Sequence, residues 1–137
     1  MAHEQEIMKV DSKGRITIPS HMRGELGMKE GSYASVMINR QDKSIVIRPF
    51  AGSHAKLVEM RLMIPDRPGA LARAARALSE MNVDLLSSNS RTIKKGEVAE
   101  WVVVADVGQL RIGIEDLKKN LIMSKDVISV DVRELRL

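Results

Sequence analysis

The stretch MRLMIPDRPGALARAARALSEMNVDLLSS, Met60 to Ser88, sets two hydrophobic periods end to end. Val58, Met60, Leu62 and Ile64 alternate with Glu59, Arg61 and Met63, which predicts a strand with a mostly apolar face. The turn IPDRPG stops it. Leu71, Ala74, Ala75, Leu78 and Met81 then recur at helical spacing, so Pro68 to about Met81 is predicted as an amphipathic helix. Val83 to about Ile93 reads as the next strand.

Outward from this stretch the alternation continues. KKGE is a hairpin turn through Gly96, and Glu97 to Val107 is a strand whose WVVVA run suits a central position. Leu110, Ile114, Leu117 and Leu121 form a second helical stripe, and Ile128, Val130 and Val132 alternate in a last strand. The order βαββαβ predicts an α+β, ferredoxin-like split βαβ unit, one sheet covered on one face by two helices.

Upstream, Pro49, Gly52 and Ser53 in RPFAGSHAK break the apolar rhythm, which puts a seam near Ala55. The first segment is all short pieces. Ile7–Val10 and Arg15–Ile18 are predicted strands around DSKG, where Gly14 can supply a positive φ. Pro19 and Ser20 open a two-turn helix with Met22 and Leu26 on its inner face and Gly27 as its stop. Ala34–Asn39 and Ser44–Arg48 form a hairpin through RQDK. A segment of about 50 residues rarely buries enough surface alone and needs a metal, disulfides or a partner. The chain has no cysteine, and His3, His21 and His54 are dispersed without ligand spacing. Oligomerisation is what remains.

Composition narrows the function. The chain has 137 residues, a formal net charge of +4 and ordinary apolar and charged fractions, so a folded, mildly basic protein is expected. That charge permits an anionic partner without demanding one. Tyr33, Phe50 and Trp101 are the only aromatics, which argues against stacking on single-stranded nucleic acid. MAHEQEIMKV lacks the pattern of a signal peptide and no apolar run approaches about 18 residues, so a cytoplasmic location without a membrane partner is expected. Ser87–Ser90 offers hydroxyls, but no histidine lies near in sequence and no glycine elbow, phosphate loop or dinucleotide pattern is present. Catalysis is not expected, and neither is a metal or a cofactor.

VDSKGRITIPSHMRGELGMKEG, Val10–Gly31, followed by VMINRQDKSIVIRP, Val36–Pro49, resembles the AbrB/MazE/SpoVT family. The carrying pattern is a strand, a D-x-x-G-R turn, an apolar strand ending in Ile-Pro, a short helix with arginine, then Leu-Gly and an acidic turn. The resemblance implies a mainly β swapped-hairpin barrel built by two chains, and double-stranded DNA binding or antitoxin action. Arg15 and Thr17 alternate with Ile16 and Ile18, so Arg15 is expected on the exposed face, where it can meet phosphates or a guanine edge. Lys9, Lys13 and Arg23 fall near the same surface if that fold holds. Where DNA-binding members carry a second arginine after the helical one, this chain has Gly24. Residues 1–50 hold eight lysines and arginines against six acids, a modest footprint that also fits a merely solvated face.

Leu57 to Leu135 resembles the ACT domain through Asp66, Arg67, Pro68, Gly69, Ala70 and Leu71, matching its D/N-R-P-G-x-L turn. The resemblance implies sensing of a small effector, an amino acid, at an interface between paired domains. Gly69 admits a ligand to the backbone and Asp66 can take its ammonium. Asp66 as a helix cap and Pro68 as a first-turn residue explain the same motif without a ligand. Asp84 stands where amino-acid-binding members carry asparagine; a carboxylate there repels a ligand carboxylate but can grip an ammonium.

The expected organisation is residues 1–50 for DNA binding and dimerisation, a 51–55 linker, and residues 56–137 for ligand sensing and dimerisation. The expected function is a ligand-responsive transcription regulator acting as a homodimer or homotetramer. An antitoxin-like or scaffold module whose ACT half only oligomerises, or a regulatory subunit of a biosynthetic enzyme, fits the same residues.

Overall fold

The computed structural model describes residues 4–135 and 137; Met1–His3 and Arg136, and with them the histidine at position 3, lie outside it. The chain divides into two units, one ending at Ser53 and the other beginning at His54.

In the first unit, the DSKG turn forms as its residues require. Asp11 N–H donates to the Arg15 carbonyl at 3.1 Å, Gly14 N–H donates to the Asp11 carbonyl at 3.0 Å, and Gly14 takes φ +76°. The strands predicted on either side of it are not formed: Ile7–Val10 and Arg15–Ile18 have no ladder beyond that turn. Two arms of four residues gain too little from each other to hold a pairing without a third strand. Helix α1, Ser20–Glu25, follows Pro19. It ends where Gly27 takes φ +70°, with Gly27 N–H donating to Gly24 and Met28 N–H to Arg23. That pair of bonds is the Schellman stop expected of Leu-Gly.

Strands β1, Tyr33–Asn39, and β2, Ser44–Ala51, form an antiparallel hairpin. The Asn39 side chain accepts from Gln41 N–H at 3.1 Å and Asp42 N–H at 3.2 Å, which closes the RQDK turn. The register shifts between Tyr33 and Ala34 opposite Pro49, so the proline sits at a bulge, where its missing N–H costs little. The hairpin therefore runs through Phe50 and Ala51, beyond the predicted end at Arg48. None of the described side chains in this unit is fully buried. Ile7 is 88 % exposed, Ile38 63 % and Ile45 67 %.

The second unit has a proper core. Its elements are β3 (Leu57–Pro65), α2 (Ala70–Glu80), β4 (Asp84–Lys94), β5 (Val98–Asp106), α3 (Ile114–Met123) and β6 (Ser129–Glu134). The antiparallel sheet has the order β4-β5-β3-β6, the predicted ferredoxin-like arrangement. Leu62 lies opposite Trp101 and Val130, and Met60 opposite Val103 and Val132, so the period-2 apolar rows meet on one face. Ala74 and Leu78 of α2 and Leu117 and Leu121 of α3 close that face, all fully buried. Helix α2 begins at Ala70 rather than Pro68, because Gly69 at φ +85° is its cap and cannot be a helical residue. It ends at an Asn82 with φ +62°, where Val83 N–H donates to the Leu78 carbonyl at 3.1 Å. The opposite sheet face carries a charge ladder: Arg91 and Arg61 flank Glu100 at 3.1 and 3.5 Å, and Arg133 meets Glu59 at 2.9 Å.

Candidate functional site

The N-terminal candidate is built on the Asp11 turn. Asp11 Oδ1 accepts from Lys13 N–H at 2.8 Å and Arg15 N–H at 2.9 Å, while Oδ2 accepts from Arg15 Nε at 2.8 Å. The Arg15 backbone N–H, then the Arg15 guanidinium, hold the Asp11 carboxyl below the usual carboxylate range. Arg23 on α1 is tied in the same way, its Nε donating to the Ile18 carbonyl at 2.9 Å. Both guanidiniums are thus fixed through Nε, which leaves the end-on pair of Nη groups for a bidentate acceptor. Lys9, Lys13, Arg15 and Arg23 are all exposed. Sequence reading singled out these four cations but assigned no role to the Asp11 side chain. The signal for it was present, an aspartate with a glycine three residues on, the composition of an Asx turn.

The second candidate is the Asp66–Leu71 turn between β3 and α2. The structure corrects the capping reading: α2 has no side-chain cap. Asp66 Oδ2 instead accepts from Gly96 N–H at 2.7 Å, and Asp66 N–H donates to Glu97, so this carboxylate ties its turn to the β4–β5 hairpin. Pro68 lies in the turn before the helix, not in its first turn. Arg73 crosses Gly69: a Cβ added there would stand 2.5 Å from Arg73 Nη1, and Arg73 Nε donates to Asp126 at 2.8 Å. Neither Arg73 nor Asp126 was singled out in the sequence, because they meet only through the fold. Ala70 points into the core, while Asp66, Arg67 and Leu71 line a cavity of about 200 Å³ with Ser90, Arg91 and Thr92.

Asp84 is not part of that cavity. It opens β4, whereas the Asp66 turn meets the far end of the same strand. Eleven extended residues separate the two by on the order of 30 Å. One chain therefore does not bring Asp84 to the Asp66 turn. Among the described residues no cluster of histidine, cysteine or acidic side chains could hold a metal, and no helix is long and apolar enough to cross a membrane.

Compared with known families, residues 7–51 match "Antidote-toxin recognition MazE, bacterial antitoxin" and residues 58–121 match the ACT domain. The chain joins a MazE/AbrB-like domain to an ACT domain, both of them regulatory rather than catalytic domain types. No curated protein matches it in sequence. Solved structures similar to it include an unknown protein from Galdieria sulphuraria, at 18% identity and TM-score 0.46, covering 61% of this chain and 46% of that one. A homoserine dehydrogenase from Thiobacillus denitrificans matches at 17% identity and TM-score 0.41, covering 59% of this chain and 17% of that one. The C-terminal domain of the MgtC protein from Mycobacterium tuberculosis matches at 14% identity and TM-score 0.45, covering 60% of this chain and 89% of that one. The chain spans less than half the length of the first two.

Proposed function

We propose that this protein is a ligand-responsive transcription regulator. Two copies of the N-terminal unit bind double-stranded DNA, and the ACT unit binds a small effector, an amino acid. The observation that carries this reading is a pair of Nε-anchored arginines, Arg15 and Arg23, on a unit that has no buried core of its own among the described residues. Such a unit is completed by a second chain, whose strands supply the ladders that Ile7–Val10 and Arg15–Ile18 lack. Two copies present the arginines about a two-fold axis, which suits a pseudo-palindromic site. Lys9 and Lys13 add phosphate contacts.

In this reading the effector site also needs two chains. The outer edge of β4 has no neighbouring strand among the described residues. Antiparallel pairing of two β4 edges brings the Asp84 end of one copy toward the Asp66 turn of the other. Asp66, Arg67 and Leu71 then face the ligand from one side and Asp84 from the other, with Pro68, Gly69 and Ala70 holding the turn and Arg73 covering Gly69. Two pairing surfaces on one chain give a homodimer or a homotetramer. An effector that binds one arrangement of these surfaces better than another shifts DNA affinity by that difference.

The test is a fluorescence-anisotropy titration of labelled duplexes from the region upstream of the protein's own gene. It is run at low and moderate salt, with and without a pool of amino acids. Saturable, sequence-preferring binding that responds to the pool is the expected result. The description of the family matched by residues 7–51 favours a second reading, in which this unit binds a partner protein as antitoxins do. Absence of sequence-preferring DNA binding overturns the first reading in favour of the second.

A further inference from the structure

We propose that Asp11 is a positioning residue for DNA recognition, setting the Arg15 guanidinium so that its Nη pair meets the acceptor end-on. The inference rests on the DNA-binding reading and goes beyond it in assigning a task to an acid. A carboxylate at a DNA-facing surface is by itself unfavourable, since phosphates repel it. Its geometry supplies the compensation. One oxygen, Oδ1, is occupied by the backbone N–H groups of Lys13 and Arg15 and shapes the turn. The other, Oδ2, is given to Arg15 Nε at 2.8 Å. With Nε engaged, the side chain loses much of its rotamer freedom before DNA arrives, and the fork that reads guanine O6 and N7 points away from the anchor. Arg23 reaches the same state through the Ile18 carbonyl, so both arginines are preset by one bond at the same atom.

The two tasks of Asp11 separate chemically. In Asp11→Asn the amide oxygen still accepts from the Lys13 and Arg15 N–H groups, so the turn survives. The amide NH₂ cannot accept from Nε, so Arg15 is released. Asp11 as a spectator or a turn-former predicts tighter or unchanged DNA binding in this variant, because a negative charge has been removed. Asp11 as a positioning residue predicts the opposite sign for sequence-preferring binding.

The experiment measures wild type, Asp11→Asn, Arg15→Ala and the double variant against the preferred upstream duplex and a mixed-sequence duplex, all as full-length chains at fixed salt. Amide chemical shifts of Lys13 and Arg15 report the turn, and the Arg15 Nε–H resonance reports the anchor without DNA. The expected result is an intact turn, a lost Nε–H bond, and about three- to tenfold weaker binding of the preferred duplex. Mixed-sequence binding stays equal or tightens, and the double variant is no weaker than Arg15→Ala. If Asp11→Asn binds the preferred duplex as well as wild type while Arg15→Ala does not, the positioning role is overturned and the DNA-binding reading stands. If wild type shows no sequence preference, the DNA-binding reading falls and the positioning role with it.

Discussion

Asp11 is one carboxylate serving three N–H donors, and its titration follows from that. Its folded pKa is lowered, chiefly by the Arg15 backbone N–H and next by the Arg15 side chain. The sign is that of a depressed acid: its contribution to the turn is complete above the ordinary carboxylate value and is lost as pH falls through the lower folded value. A carboxyl-detected NMR titration is expected to place the Asp11 midpoint below the ordinary 3.8. Arg15→Ala moves it only part of the way back, because the larger cause is a backbone N–H that alanine keeps. A complete return to the ordinary value contradicts this ordering of causes.

Asp66 and Gly69 make a similar point about single residues. Asp66→Asn keeps an acceptor for Gly96 N–H but removes the charge an ammonium needs. It is expected to leave thermal unfolding nearly unchanged and to weaken amino-acid binding by tenfold or more, on the order of the loss of one charge-assisted bond. Calorimetric titration with the amino acid found in the pool experiment checks this; unchanged affinity moves the site elsewhere. Gly69→Ala is expected to destabilise the ACT unit by about 1 kcal/mol or more, since alanine at φ +85° is strained and its Cβ displaces Arg73. Equilibrium urea unfolding measures it, and a neutral result contradicts a strained left-handed backbone at this position.

Helix α2 earns its place by packing. It has eleven residues and no side-chain cap, so burial of Ala70, Ala74 and Leu78 holds it to the sheet. Leu78→Ala is expected to cost about 2–5 kcal/mol in urea unfolding, because Leu78 is fully enclosed and the site cannot collapse freely. The βαββαβ order was legible because these elements carry their period in full: alternation in Val58–Ile64, a helical stripe in Leu71–Met81, and an apolar run at Trp101–Ala105. The Ile7–Val10 and Arg15–Ile18 strands were equally legible as patterns, yet a single chain does not form them. Alternation says which face a strand would bury, not which chain supplies the neighbouring strand. The capping reading of Asp66 failed for a related reason. An Asp before a Pro-Gly turn satisfies local rules, and its actual partner, Gly96, is thirty residues away.

The two units differ in how much of a core their described residues bury. The ACT unit has its own core, whereas the first unit exposes Ile7, Val36, Ile38 and Ile45. In an isolated chain Ile45→Asp would be a solvent-exposed change with little cost. In an interleaved pair it places a charge in the shared core and is expected to abolish dimerisation of that unit. Analytical ultracentrifugation, with amide exchange of β1 and β2 upon dilution, distinguishes these; an unchanged assembly and unchanged exchange rule out a shared core in this hairpin.

The linear order of residues was sufficient for the βαββαβ order of the second unit, the turn at Gly14, the helix stop at Gly27 and the exposure of the four cations. These depend on local backbone preference and on hydrophobic period, both of which act over a few residues. Folding was needed to give Asp11 to Arg15 Nε, to commit Asp66 to Gly96, to lay Arg73 across Gly69 toward Asp126, and to separate Asp84 from the Asp66 turn by the length of a strand. The long-range pairings among these follow from sheet register and from turns packing on distant hairpins. Asp11 and Arg15 are close in sequence, but their side-chain bond depends on the rotamers selected in the folded turn. Such choices are made by which partner satisfies a polar group at least cost once the chain is compact, and a one-dimensional pattern does not contain that competition.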